Sequence, residues 1–80
     1  MGIRNIVAER ILYFCNKQNI SINALARISA VPPSTLKNIV NGVSQNPGIV
    51  TIKKLCDGLE ISITDFFNTD EFKNLEQEIE

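Results

Sequence analysis

Two consecutive prolines, Pro32 and Pro33, interrupt a stretch that is otherwise patterned for helices. A residue that precedes a proline avoids the α-helical region, so a helix cannot continue through Val31 and Pro32. Pro33 can instead open a new helix, because the N–H that proline lacks would have no partner at the first helical position. The sequence therefore predicts two short helices joined by a tight turn.

Helical periodicity covers most of the chain, and no segment alternates as a β-strand. The first predicted helix is about Ile3–Lys17, the second is capped by Ser21, and the third is Pro33–Asn41, ended by Gly42. The fourth follows the 42–48 loop. The fifth is Ile63–Phe67, opened by Ser62, and the last runs from Asp70 to about Glu78, capped by Thr69. The fold class is therefore all-α, with five helices and an additional short C-terminal helix. Eighty residues suit one small domain, which we place at residues 3–68, followed by an acidic C-terminal helix at 69–80.

Two apolar stripes need cover. The stripe of the fourth helix consists of Ile49, Ile52, Leu55, Cys56 and Leu59, and that of the last helix consists of Phe72, Leu75 and Ile79. The last stripe either folds back on the first and fifth helices or pairs with a second copy of the chain. We favour a dimer contact.

Composition narrows the possible functions. The chain has no His, which removes the commonest general base and metal ligand. Cys15 and Cys56 fit no zinc or redox spacing, and we expect buried thiols in a reducing, cytoplasmic protein. The first 18 residues carry four charges and the uncharged stretch at 38–52 is rich in turn residues, so neither a signal peptide nor a membrane span is expected. We expect no enzymatic activity, cofactor, metal or small-molecule ligand.

Charge is unevenly distributed along the chain. The formal net charge of −1 combines a body with seven Lys/Arg and four acids in residues 1–68 and a tail with one Lys and five acids in residues 69–80. The body is thus mildly basic (+3) and the tail acidic (−4). A basic body is compatible with a nucleic-acid partner.

The helix after the prolines has two distinct faces when its residues are placed at about 100° intervals. The apolar face consists of Leu36, Ile39 and Val40, and the opposite face of Ser34, Lys37, Asn38 and Asn41. Asn can bond adenine, Lys can donate to guanine, and Ser can bond a base or a phosphate, while no carboxylate repels DNA. A solvated polar face on a structural helix explains this helix equally well.

The preceding helix favours the DNA interpretation. Two short helices joined by a tight turn form a helix-turn-helix unit, whose second helix enters the major groove. Asn23 and Arg27 face outward where phosphate contacts are expected, and the N–H groups behind Ser21 form an anion site. The start of the fourth helix offers another anion site, with Thr51, Lys53 and Lys54 nearby. For each basic residue alone, ordinary solvated charge remains the simpler interpretation.

The stretches SINALARISAVPPSTLKNIVNG and NPGIVTIKKLCDGLEISITDFF together resemble the Cro/phage-repressor type of helix-turn-helix domain, the XRE family. The resemblance runs from about Ile6 to Phe67. Its specific parts are Leu25-Ala26, Val31, Ser34-Thr35-Leu36, Ile39 with Asn41-Gly42, Pro47, and Leu59-x-Ile61-Ser62 leading into Phe66-Phe67.

This resemblance implies a five-helix domain that binds operators in double-stranded DNA as a homodimer. It places base-reading positions at Pro33, Ser34, Lys37 and Asn38, and backbone contacts near Ser21, Asn23, Asn41, Ser44 and Thr51. Pro33 has no donor, so it could give only an apolar contact, for instance to a thymine methyl group.

The sequence departs from the family at three points. Ala30 and Glu60 stand where Gly is usual, so each must accept a left-handed conformation or use another turn. Cys15 and Val40 stand where some members pair an Arg with a Glu, and we expect an apolar contact there instead.

Two function hypotheses follow. The leading one is a sequence-specific DNA-binding transcriptional regulator, a small bacterial or phage repressor that reads operator half-sites through helix 33–41. The alternative is a helix-turn-helix scaffold used for protein–protein contact or as an antitoxin-like module.

Overall fold

The computed structural model describes residues 2–44 and 46–75. Its helices are α1 (Ile3–Gln18), α2 (Ile22–Ile28), α3 (Pro33–Val40), α4 (Ile49–Leu59), α5 (Ile63–Phe67) and α6 (Asp70–Lys73). The all-α prediction is confirmed, since the described residues contain no strand. The predicted end of the last helix is wrong, because α6 stops at Lys73 and its C-cap is Asn74, a residue type that favours helix ends over interiors. Residues 76–80, with the predicted stripe residue Ile79, lie outside the described part.

One apolar core joins all the helices of the domain. Its largest fully buried side chains come from five of them: Ile11, Leu25, Leu36, Leu55, Cys56, Leu59 and Phe66. α3 packs against both α1 and α2, while α4 packs against α1, α2 and α5. α3 is therefore supported from behind by two helices.

Four helices end with the same backbone motif. A residue in the left-handed region follows α1, α2, α3 and α4, and these residues are Asn19, Ala30, Gly42 and Glu60. The next N–H then bonds back to a carbonyl five residues earlier, as in a Schellman motif: Ile20 to Cys15, Val31 to Ala26, Val43 to Asn38, and Ile61 to Cys56, at 2.9–3.0 Å. Ala30 and Glu60 thus accept the conformation that usually takes Gly, at φ 56° and 58°.

The corner between α2 and α3 explains why a non-glycine residue is tolerated there. A left-handed alanine costs about 1–2 kcal/mol. The turn it makes sends Val31 into the core, where only 4% of its surface stays exposed. Burying a Val side chain stabilises by about 1.5–3 kcal/mol, which offsets the strain. Pro32 is extended and Pro33 is the first residue of α3, as the proline pair predicted.

Long polar side chains of α1 bind the ends of other helices. The Arg10 guanidinium donates from Nε to the Phe66 carbonyl and from Nη2 to the Asp65 carbonyl, both at 2.8 Å. The Gln18 amide donates to the Leu59 carbonyl at 2.7 Å. These carbonyls lie in the last turns of α5 and α4, where helices have unpaired acceptors. α1 therefore fixes both helices through their C-terminal ends.

An aromatic cluster connects α6 to the domain. The Phe72 ring lies 4.8 Å from the Phe67 ring and 6.3 Å from the Phe66 ring, measured between centroids. Phe72 therefore packs against its own chain, and α6 also contacts α1. The dimer contact of segment 69–80 stays a prediction.

The stripe predicted for α4 is wrong at one end. Ile49 is 60% exposed, because it lies in the first turn, ahead of the buried residues that start at Ile52. Cys56 is buried as predicted, and so is Cys15 on α1. Burial raises the pKa of both thiols above the ordinary value, and the charge of Asp57 adds to the effect at Cys56. Val40 packs against the core cluster that contains Cys15.

α2 and α4 approach closely where Gly58 faces Ser29. A Cβ atom added at Gly58 would lie 2.1 Å from the Ser29 Oγ and 3.2 Å from its Cβ. The Ser29 hydroxyl is buried and has no hydrogen-bond partner in the described part of the chain. Gly58 therefore sets the spacing between the two helices.

We expect Gly58→Ala to lower the free energy of unfolding by about 1–3 kcal/mol, because the new methyl group overpacks this contact. In a Ser29→Ala background the same change should cost much less, since the Oγ is gone and Ala favours a helix over Gly by about 1 kcal/mol. Urea unfolding of the four proteins, followed by circular dichroism, measures the difference. An equal loss in both backgrounds would contradict the contact.

Candidate nucleic-acid interface

α3 presents a polar face that is open to solvent. Leu36 and Ile39 are buried beneath it, so the helix cannot rotate without uncovering the core. The four residues predicted to read bases are all exposed: Pro33, Ser34, Lys37 and Asn38. Asn41 is exposed as well and is the C-cap of α3. This face holds hydroxyl, amide and ammonium groups and no carboxylate.

The loop after α3 is bonded to that helix. The N–H groups of Val43 and Ser44 both donate to the Asn38 carbonyl, at 2.9 and 3.0 Å. The half-buried Ser44 is thus held beside the end of the polar face. Asn38 has two parts in this arrangement, because its carbonyl anchors the loop while its amide side chain is exposed.

The N-termini of the helices differ in how they are capped. The Ser21 hydroxyl accepts a hydrogen bond from the Ala24 N–H at 3.0 Å, so Ser21 is the N-cap of α2, as predicted. The N-caps of α3 and α4 are Pro32 and Gly48, and neither makes a side-chain cap bond in the described structure. The first N–H groups of these two helices therefore have no side-chain acceptor, which suits anion binding.

The flanking polar residues lie on α2 and α4. Asn23 and Arg27 are exposed on α2, as the sequence predicted, and Lys54 is exposed on α4. Thr51 is half-buried in the first turn of α4.

Lys53 is not a free cation, because it forms an ion pair with Asp57 one turn further along α4. Both side chains are more than half exposed, so the pair contributes little stability, and Lys53 can exchange Asp57 for another anion. The sequence interpretation overlooked this pair, although the i, i+4 spacing of Lys and Asp was a visible signal.

Two further residues of this surface were not predicted. Thr35 is exposed beside Ser34 in the first turn of α3, where residues of a recognition helix contact bases. Val43 is 67% exposed, although the apolar residues in the same position after α1, α2 and α4 pack against the core. A helical wheel that included the edges of the polar face would have found Thr35. Residue type alone does not predict that Val43 is exposed, because Val31 in the equivalent position is buried.

The described residues contain no candidate metal site and no candidate membrane span. Within residues 2–44 and 46–75, no three His, Cys, Asp or Glu side chains are grouped as metal ligands. No helix of that part is long and apolar enough to cross a membrane.

A model of the family described as the Cro/C1-type HTH DNA-binding domain matches residues 10–71. The chain belongs to this family. The resemblance inferred from the sequence is thereby confirmed, and α2 and α3 are the helix-turn-helix unit of a Cro/C1-type domain.

Two similar proteins support this assignment. The chain is 32% identical over 65 residues to the HTH-type transcriptional regulator SlrR of Bacillus subtilis (strain 168). The matched residues make up 81% of this chain and 43% of SlrR. The chain thus spans less than half the length of that relative. A crystal structure of the prophage Lp1 protein 11 superposes with a TM-score of 0.83 at 32% identity, covering 94% of this chain and all of the other.

The role of Ser21 as a helix cap predicts a stability effect that is independent of DNA. We expect Ser21→Ala to lower the free energy of unfolding by about 1 kcal/mol, because α2 loses its cap, whereas Ser21→Asp should preserve stability. Ser34→Ala is the matched control, since Ser34 is exposed and caps no helix. Urea denaturation measures all three. Equal effects of the two Ala substitutions would contradict the capping role.

Proposed function

We propose that this Cro/C1-type domain is a sequence-specific DNA-binding transcriptional regulator whose helix α3 lies in the major groove. The observation that carries the proposal is the structure of α3, which buries Leu36 and Ile39 and exposes a polar face without carboxylates. The two relatives are a transcriptional regulator and a prophage protein, which favours a small bacterial or phage repressor. We place this repressor in the cytoplasm.

Each exposed residue of α3 has a chemical role in this proposal. Asn38 bonds bidentately to adenine, and Lys37 donates to guanine O6 and N7. Ser34, at the start of the helix, bonds a base edge or a phosphate. Pro33 contributes an apolar contact to a thymine methyl group, so readout at its base pair is weaker than at the others.

Backbone contacts surround this face. Two sets of residues hold phosphates on either side of α3. The first set belongs to α2 and its N-cap and consists of Ser21, Asn23 and Arg27. The second set runs from the end of α3 into α4 and consists of Asn41, Ser44, Thr51, Lys53 and Lys54. The open N-terminus of α4 adds N–H donors to the second set. These contacts orient the protein without reading sequence. Lys53 joins them by releasing Asp57.

Two copies complete the operator complex. An eight-residue helix reads only a few base pairs, so a homodimer that binds two half-sites one helical turn apart would supply the remaining specificity. The regulator acts by occupying DNA, without catalysis, a cofactor or a small-molecule ligand.

A protein-contact module is the second candidate. The exposed apolar side chains Val43, Ile49 and Val50 favour it, because they lie next to the interface without cover from the described chain. This candidate predicts a stable protein complex and little affinity for DNA.

The two candidates are separated by fluorescence anisotropy with double-stranded DNA, beginning with the region upstream of the gene. We expect affinity to fall steeply with salt, because each neutralised phosphate releases counterions. Asn38→Ala should cost about 1–3 kcal/mol at one base position. Lys54→Ala should weaken all sequences alike and reduce the salt slope by about 1.

Matched controls make these expectations specific. Asn74→Ala changes an exposed amide at the end of α6, and Lys73→Ala removes an exposed charge on the same helix, and neither residue belongs to the proposed interface. Neither should alter sequence preference. If the protein has no salt-dependent affinity for any DNA, the regulator proposal fails.

A further inference from the structure

An apolar groove lies between the start of α1, the start of α4 and the end of α5. Its volume is about 360 Å³, and its apolar walls are formed by Ile3, Val7, Pro47, Ile49, Ile52 and Phe67. Ile3 and Ile49 are 43% and 60% exposed, so a substantial apolar surface faces water here. Burying such side chains would be favourable for any segment that fits.

We propose that residues 76–80 of the same chain occupy this groove, in place of the dimer contact that the sequence predicted for them. The described chain that leads into this segment lies close to the groove. The Phe72 ring is 4.8 Å from the ring of Phe67, which lines the groove, and an extended chain advances up to about 3.5 Å per residue. Leu75 is the last described residue, and four further residues of extended chain can carry Ile79 up to about 14 Å from it.

Charge and hydropathy favour this occupant. Among the described residues that line the groove, Arg4 carries the only charge, and Gly48 is the N-cap of the eleven-residue helix α4. A cation and a positive helix end together attract carboxylates. The segment EQEIE offers three carboxylates around one large apolar side chain, Ile79. Its Ile matches the apolar walls, and its Glu side chains match Arg4 and the end of α4.

The position of the groove gives this contact a consequence for DNA, which rests on the proposed function. Gly48 and Ile49 belong both to the groove and to the open N-terminus of α4, where we place a phosphate contact. Carboxylates bound there compete with phosphate for the same N–H groups and the same positive potential. The segment therefore weakens DNA binding and must leave the groove when DNA binds.

A nitroxide spin label tests the contact in the full chain. Gln77→Cys provides the attachment point without removing an acid, and the buried native thiols are controlled by treating the unsubstituted protein identically. We expect the label to broaden the amide NMR signals of Ile3, Ile49 and Ile52. The signal of Asn19 should stay sharp, since it lies at the other end of α1, about 24 Å from Ile3 at 1.5 Å per residue.

Two substitutions should abolish the broadening, namely Arg4→Glu, which reverses the charge, and Ile79→Ser, which removes the apolar anchor. If Ile3, Ile49 and Ile52 stay as sharp as Asn19 in the labelled protein, the proposal is overturned. A mixing experiment provides the second criterion, in which spin-labelled protein without ¹⁵N is added to ¹⁵N-labelled protein without the spin label. Broadening in that mixture also overturns the proposal, because the segment then binds a second copy.

DNA binding provides the second measurement. Ile79→Ser should raise affinity about two- to fivefold at low salt, the size expected for one carboxylate near a helix N-terminus. Unchanged affinity despite an occupied groove would overturn the competition. If no DNA is bound by either protein, the proposed function fails, while the spin-label result still decides the contact itself.

Discussion

Ala30 adopts a left-handed backbone conformation, and the turn it makes determines where α3 lies. The strain is tolerated because the turn buries Val31, bonds its N–H to the Ala26 carbonyl and delivers the chain to two prolines that favour a new helix. α3 then buries Leu36 and Ile39, which fixes the direction of its polar face. The candidate interface thus depends on one corner, and each residue from Ala30 to Pro33 acts in it.

The same backbone motif ends four helices, but the residue after the left-handed position is packed against the core at three of them and exposed at the fourth. After α1, α2 and α4, the residue that follows the left-handed position packs against the core: Ile20, Val31 and Ile61. After α3 it is Val43, which stays 67% exposed. Its N–H is bonded to α3 like the others, so the fold holds it in place without covering its side chain. Val43 therefore presents an exposed apolar side chain next to Asn38, within the surface that we propose contacts a partner.

Much of this fold could be predicted because its signals are local. The proline pair, the caps Ser21 and Ser62, and Gly42 each act within a few residues, and all take the predicted conformations. The Arg10 and Gln18 bonds join residues 41 or more positions apart, and the contact of Gly58 with Ser29 depends on how two helices pack. No periodicity encodes such contacts. The roles of single residues at the interface depend on the DNA itself and stay predictions.

Selection of bound sites from random double-stranded DNA tests most directly whether α3 reads sequence. This role of α3 predicts enrichment of a short motif as two inverted half-sites whose centres lie about 10–10.5 base pairs apart, with the weakest preference at the base pair that faces Pro33. It also predicts that Asn38→Ala selects a motif with one position relaxed. If the folded protein recovers only unenriched random sequence, α3 does not read sequence.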